Sequence, residues 1–173
     1  ISACGCAVVT ATANTGGFSP EELKLSGKHA LELGAISHVN LDITQEYYDK
    51  SIKYMIMGKV LRNGTDPISV SSERMFQAIA IINYAKKIGA DCVAHGSTGA
   101  GNDQIRFDLT FQVLAPEIKV ITPTRDLALP QYEINYLKDH GFEGDFKKLE
   151  YSYNEGLWGT SICGKETLHS DEN

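Results

Sequence analysis

Short β-branched or apolar runs alternate with longer runs of helical period along most of this chain, and that alternation restricts its fold more than any single motif does. "CAVVTATA", residues 6–13, reads as a buried strand. "SPEELKLSGKHALELG" follows as a helix, with Ser19 as N-cap, Pro20 at its first position, Glu22 completing a capping box and Gly34 ending it. "SHVNLDI" is a second strand. From Thr44, "QEYYDKSIKYMIMGKVL" runs helical with Tyr48, Ile52, Met55 and Val60 near one face, until "RNGTDPIS" interrupts it with turn residues. Ser71 or Ser72 is expected to cap the next helix, "ERMFQAIAIINYAKKIG", which carries Met75, Ile79, Ile82 and Ala85 on one side and stops at Gly89. "ADCVAH" is then a strand, "NDQIRFDLTFQVLAP" a helix with Ile105, Leu109 and Val113 on its apolar stripe, and "KVITP" a strand. A last helix, "QYEINYLKDHG", follows Pro130. A βα period of this kind implies parallel strands joined by right-handed crossovers, because that is how a chain returns to start a parallel neighbour. The expected class is therefore α/β, a parallel sheet with helices on both faces. Its domain is expected over residues 1–141, with an irregular segment over 142–173.

Charge narrows the function. The formal net charge is −6, whereas general binding to nucleic acid or anionic membrane relies on Lys and Arg neutralising phosphates. No apolar run approaches the roughly 18 to 20 residues of a membrane span, and no basic segment followed by an apolar one opens the chain. A soluble, cytoplasmic protein acting on small molecules is the expectation, without nucleic-acid or membrane partners. Cys4, Cys6, Cys92 and Cys163 have neither zinc-site spacing nor the density of a disulfide scaffold, so reduced structural thiols and no metal site are expected. The sequon Asn63-Gly64-Thr65 then reads as a turn.

The densest polarity falls at one turn, "AHGSTGAGNDQIRF", residues 94–107, between a buried strand and a helix. Ligands of open α/β sheets bind at the carboxyl ends of strands. Gly96, Gly99 and Gly101 allow either a positive φ or close approach of a ligand. Asn102, Asp103 and Arg106 follow in the first turns of the helix, with 102 and 106 sharing a face. An acid for an ammonium group and a guanidinium for a carboxylate suit a zwitterionic amino acid. The alternative from the same residues is a capped helix start with Arg106 solvated. His95, a single histidine at a strand end, reads as hydrogen-bonded structure before metal ligand or base.

"VAHGSTGAGNDQIRFDLTFQVLAPEIKVITPTRD" resembles the signature region of the argininosuccinate synthase family, and "ANTGGF", "NGTDPISVSSER" and "YSYNEGLWGTS" resemble its flanking blocks in the same order. The resemblance implies an adenine nucleotide α-hydrolase-like fold and ATP-dependent joining of citrulline to aspartate, giving argininosuccinate, AMP and pyrophosphate, a step of arginine biosynthesis. It implies ATP, with Mg as the usual counter-ion, contacted at Ala13 and Gly96. It assigns aspartate to Thr98, Asn102 and Asp103, and citrulline to Asn102, Arg106, Ser71, Ser152 and Ser161. It assigns no catalytic nucleophile, and it implies a homo-oligomer, a tetramer, at full length. Two departures stand beside it. Nothing in "ISACGCAVV" matches the family's Ser-Gly-Gly-type phosphate loop, and Asp66 stands where the citrulline-binding pattern has tyrosine. The chain also stops where the family continues into a second domain. It is therefore expected to be the middle of a longer enzyme, inactive by itself. The competing expectation is a non-catalytic nucleotide- or amino-acid-binding module that lacks the phosphate loop.

Overall fold

The computed structural model describes residues 5–62, 66–67, 69–97, 102–127, 135, 138–139, 141 and 151–164. β1 (Val9–Asn14) and β2 (Ser37–Asp42) pair in parallel, from Val9 opposite Ser37 to Asn14 opposite Asp42. The crossover between them is α1 (Pro20–Glu32), which starts on the expected capping box. Glu22 N–H donates to Ser19 Oγ at 3.2 Å and Ser19 N–H donates to Glu22 Oε2 at 2.8 Å. Those bonds from Ser19 hold the Glu22 carboxyl below its ordinary pKa. Gly34 follows the helix with φ +94°, a left-handed position that ends it.

The second helical run is not one α-helix. It consists of α2 (Thr44–Tyr47), a π-helical turn over Tyr48–Ile52, and α3 (Lys53–Met57). Tyr47 and Ile52 are buried, whereas Tyr48, expected inside, is 42% exposed. An α-helix would set two residues five apart about 140° from each other. The i→i+5 geometry of a π-turn brings them toward one side. Tyr47 packs its ring 5.1 Å from that of Phe76 and shares a 2.9 Å hydrogen bond between its hydroxyl and that of Ser72. Burial pushes the phenol's pKa up. β3 (Leu61–Arg62) and β4 (Asp66–Pro67) then pair antiparallel; the turn expected at Asn63-Gly64-Thr65 lies outside the described residues.

α4 (Ser69–Ile88) starts two residues before Ser71, so neither Ser71 nor Ser72 is the N-cap that the sequence suggested. The Ser72 hydroxyl serves Tyr47 instead. β5 (Cys92–Ala94), α5 (Asp103–Leu114), β6 (Lys119–Ile121) and the short α6 (Pro123–Leu127) complete the α/β part. β5 and β6 pair in parallel as a second ladder, Val93 opposite Val120. The main core lies between α4, α5 and this ladder: Ala78, Ile82, Ala85, Val93, Phe111, Ala115 and Ile118. The stripe Ile105, Leu109, Val113 faces outward instead, at 58, 55 and 68% exposure. Apolar residues occupy every second position of α5 from 105 to 113, which offers two rival stripes, and the one bearing Phe107 and Phe111 packs inward.

The segment expected to be irregular contains a hairpin, β7 (Tyr151–Gly156) and β8 (Gly159–Gly164), antiparallel from Tyr151 opposite Gly164 to Gly156 opposite Gly159. Its alternation of tyrosines with small polar residues has period two but little hydrophobic contrast, which hides it from a hydropathy reading. The hairpin tip docks on the turn after β1, where Leu157 N–H donates to Thr15 C=O at 3.1 Å. Gly17 lies so close beneath it that a Cβ would stand 1.8 Å from Glu155 C=O. The helix expected after Pro130 lies mostly outside the described residues. Gly17→Ala is expected to cost about 1–3 kcal/mol by forcing these backbones apart, read as a lower Tm and as loss of amide protection at Leu157. An unchanged Tm would show that the hairpin yields freely.

Candidate active site

The second turn of α4 places an acid and a base side by side. Glu73 is only 4% exposed and accepts from the Thr15 hydroxyl, at the carboxyl end of β1, and from Gln77 Nε2 at 3.2 Å. Thr15 is itself buried. A buried carboxylate needs such donors, because its desolvation is otherwise unanswered. Arg74 points elsewhere. Its Nε donates to Asp103 Oδ2 at 3.1 Å, its Nη1 to Gln77 Oε1 at 2.9 Å and its Nη2 to Asn154 Oδ1 on β7. Two consecutive residues thus tie together the turn after β1, the start of α5 and the hairpin.

At the start of α5, Asp103 bridges two guanidiniums, since its other oxygen accepts from Arg106 Nη1 at 2.8 Å. Arg106 is therefore held by a neighbour rather than left in solvent, as the alternative reading of the sequence supposed. Asn102 precedes the helix, exposed, and makes no capping bond through its side chain. The placement of Asn102, Asp103 and Arg106 on one helix start agrees with the sequence spacing. Arg74, Glu73, Thr15 and Asn154 were not singled out from the sequence. The adjacent opposite charges of "SER" at a helix start were the available signal.

Ala13 lies buried near the end of β1, opposite Leu41, and Gly96 lies just past the end of β5. Gly96 is not among the glycines with positive φ, and among the described residues a Cβ there would meet only Thr124 Oγ1 at an ordinary 3.5 Å. Thr98 lies outside the described residues. Ser71, Ser152 and Ser161 are described by backbone position: Ser71 in the first turn of α4, Ser161 opposite Asn154 in the hairpin, and Ser152 opposite Cys163. Asp66 is in β4.

A second polar group stands behind the turn after β5. His95 Nε2 and Asp108 Oδ1 are 3.0 Å apart, and Arg125 of α6 forks onto Asp108 with bonds of 2.7 and 2.9 Å. These donors, the Arg125 guanidinium first and His95 after it, hold the Asp108 carboxyl below its ordinary pKa against the opposing effect of burial. Among the described residues, no group of three His, Cys, Asp or Glu side chains is arranged to hold a metal ion. Cys92 is a free thiol, and no described helix is long and apolar enough to cross a membrane.

Parallel ladders with polar side chains gathered at the carboxyl ends of their strands define an α/β domain of the kind that receives ligands at those ends. The family model described as "Arginosuccinate synthase N-terminal HUP domain" matches residues 2–143, and the chain belongs to the argininosuccinate synthase family, with the HUP, adenine nucleotide α-hydrolase-like, fold. It is similar to the argininosuccinate synthase of Methanocaldococcus jannaschii, with 37% identity over 156 residues, covering 90% of this chain and 39% of that protein. It also resembles those of Sulfolobus acidocaldarius (39% identity, 79% of this chain, 35% of the relative) and Xanthomonas campestris (35% identity, 94% and 42%). The chain thus spans about two fifths of the length of the curated relatives it matches.

The low Asp108 pKa gives a pH prediction. A carboxyl whose pKa is lowered by folding stabilises the protein above its unfolded value, ordinarily about 3.9, and loses that contribution as pH falls through the folded value. Asp108→Asn is expected to lower Tm near pH 7 and to approach the parent's Tm as pH falls below the ordinary carboxylate value and through the folded one. An equal Tm difference at both pH values would show that the charge is not what Asp108 contributes.

Proposed function

We propose that this chain forms the nucleotide- and amino-acid-binding part of an ATP-dependent ligase that joins citrulline to aspartate. The observation that carries the reading is the start of α5. There an acid and a guanidinium are fixed against each other, on the helix that follows the turn carrying Gly96, a glycine that neither its backbone angle nor the packing of the described residues requires. A glycine at the carboxyl end of a parallel strand suits a ligand approaching the backbone. Ala13 and Gly96 would meet ATP, whose phosphates carry Mg as their counter-ion. Thr98, Asn102 and Asp103 would hold aspartate, and Asn102, Arg106, Ser71, Ser152 and Ser161 would hold citrulline. The full-length protein would work as a homo-oligomer in the cytoplasm.

In the reaction proposed, the ureido oxygen of citrulline attacks the α-phosphorus of ATP and pyrophosphate leaves. The amine of aspartate then attacks the activated ureido carbon, loses its proton and displaces AMP. The protein needs no covalent nucleophile for this. Its contribution is to hold two amino acids in attack geometry, which makes a bimolecular step effectively unimolecular. Arg106, steadied by Asp103, would present its guanidinium to an acceptor group, and Asn102 would add an amide on the same face.

The test is pyrophosphate release dependent on both amino acids. It is expected from the chain extended at both ends by its native sequence and not from residues 1–173 alone, whose sequence carries no Ser-Gly-Gly-type loop to grip the triphosphate. Arg106→Ala in the extended protein is expected to weaken citrulline binding about 10- to 100-fold, the value of a charged hydrogen bond of roughly 1.5–3 kcal/mol. Silence from both proteins would favour a binding module. Unchanged citrulline binding with a lowered Tm would make Arg106 a structural residue.

A further inference from the structure

The His95 side chain is 11% exposed, and both of its ring nitrogens have partners. Ser97 N–H, in the turn after β5, donates to Nδ1 at 3.3 Å. Nδ1 must therefore be bare, which puts the proton of the neutral ring on Nε2, facing Asp108 Oδ1 at 3.0 Å; Arg125 Nη2, 3.4 Å from the same nitrogen, then donates to Asp108 Oδ1 at 2.9 Å and not to the ring. Asp108 is oriented in turn by the two-pronged grip of Arg125 from α6. The ring plane is fixed as well, stacked on Phe107 at 5.4 Å and met edge-on by Phe111 at 6.0 Å. The His95 backbone N–H extends the β5–β6 ladder by donating to Ile121 C=O at 3.1 Å.

We propose that His95 is a positioning residue that, in its Nε2-protonated form, holds the Ser97 amide and so sets the path of the backbone at Gly96. Arg125 orients Asp108, Asp108 selects the tautomer, and the tautomer leaves Nδ1 free to accept from the turn. An imidazole is suited to the task because one rigid ring presents an acceptor to the turn and a donor to the acid. The consequence for ligands rests on the ligase reading above, in which Gly96 meets the nucleotide.

Two substitutions, each mimicking one half of the ring, separate its two bonds. His95→Asn would place a carbonyl oxygen near the former Nδ1 and keep the acceptor for Ser97, whereas His95→Gln would place an amide near the former Nε2 and keep only the bond to Asp108. In the full-length protein, two-bond proton–nitrogen correlation spectra, assigned by loss of one histidine in His95→Asn, are expected to show His95 bare at Nδ1 and protonated at Nε2. Amide exchange at Ser97 is expected to be at least about 10-fold faster in His95→Gln than in His95→Asn. The KM for ATP is expected to rise about 10-fold in His95→Gln and less than about 3-fold in His95→Asn, with kcat changing less than KM, in keeping with one lost neutral hydrogen bond. A proton on Nδ1, or equal Ser97 exchange in the two variants, overturns the proposal. Different exchange with an equal KM overturns its reach to the nucleotide. Should neither variant fold, the tautomer of the parent protein decides. Should the parent make no argininosuccinate, the ligase reading falls, while the tautomer and exchange measurements still decide the role of His95.

Discussion

A carboxylate buried under a hairpin tip is the constraint on which much else in the structure depends. Glu73 is 4% exposed, and taking such a charge from water costs several kcal/mol unless donors replace the water. Thr15 and Gln77 supply them. Thr15 is thereby drawn inside at the end of β1, and the backbone around it must make room. A Cβ on Gly156 would stand 2.9 Å from a Glu73 oxygen, and one on Gly17 would strike the hairpin backbone. The glycines of "ANTGGF" and "NEGLWG" are thus partners in one packing problem, although more than a hundred residues separate them in sequence. The neighbouring Arg74, about 100° further round α4, spends its three donor positions on Asp103, Gln77 and Asn154.

Much of this was legible in the sequence, because it depends on local rules. The capping box at Ser19, the helix-ending glycines at 34 and 89, and the parallel βα order all follow from short-range chemistry. So does the placement of Asn102, Asp103 and Arg106 on one helix start. What was not legible depends on contacts distant in sequence. Period alone could not choose between the two stripes of α5, since apolar residues alternate along it, and the aromatic stripe prevails because it packs against α4 and His95. Nor could it show that a π-turn would carry Tyr47, rather than Tyr48, into the interior beside Phe76. The hairpin over 151–164 went unseen because its pairing is antiparallel and weakly patterned, in a chain whose other signals are parallel.

Within the site the same division holds. Residue types and spacing identify the helix start that carries an acid and a guanidinium, but not the third element that orients them. Arg74 lies 29 residues before Asp103 and 80 before Asn154, so no window of sequence holds the group together. Only the fold brings α4 across both.

α5 is fastened by two acids, five residues apart and so about 140° around the helix from each other. Asp103 bridges Arg74 and Arg106 at its start, and Asp108 meets Arg125 and His95 on another side. Each acid's side chain is 37% exposed, and ion pairs open to water add little to stability because solvent screens them and side-chain order opposes them. Their effect is better sought in geometry. The Arg125 fork fixes Asp108 in orientation as well as distance, Arg74 meets Asp103 through Nε, and each acid also holds one further group, Arg106 in one case and the His95 ring in the other. The core of Ile82, Phe111 and Ala115 already holds α5 against α4 without them. The two charged groups therefore restrain the rotation of the helix and the course of the turn before it beyond what apolar packing sets, and in the ligase proposed above the bringing of two small molecules into attack distance would depend on that restraint.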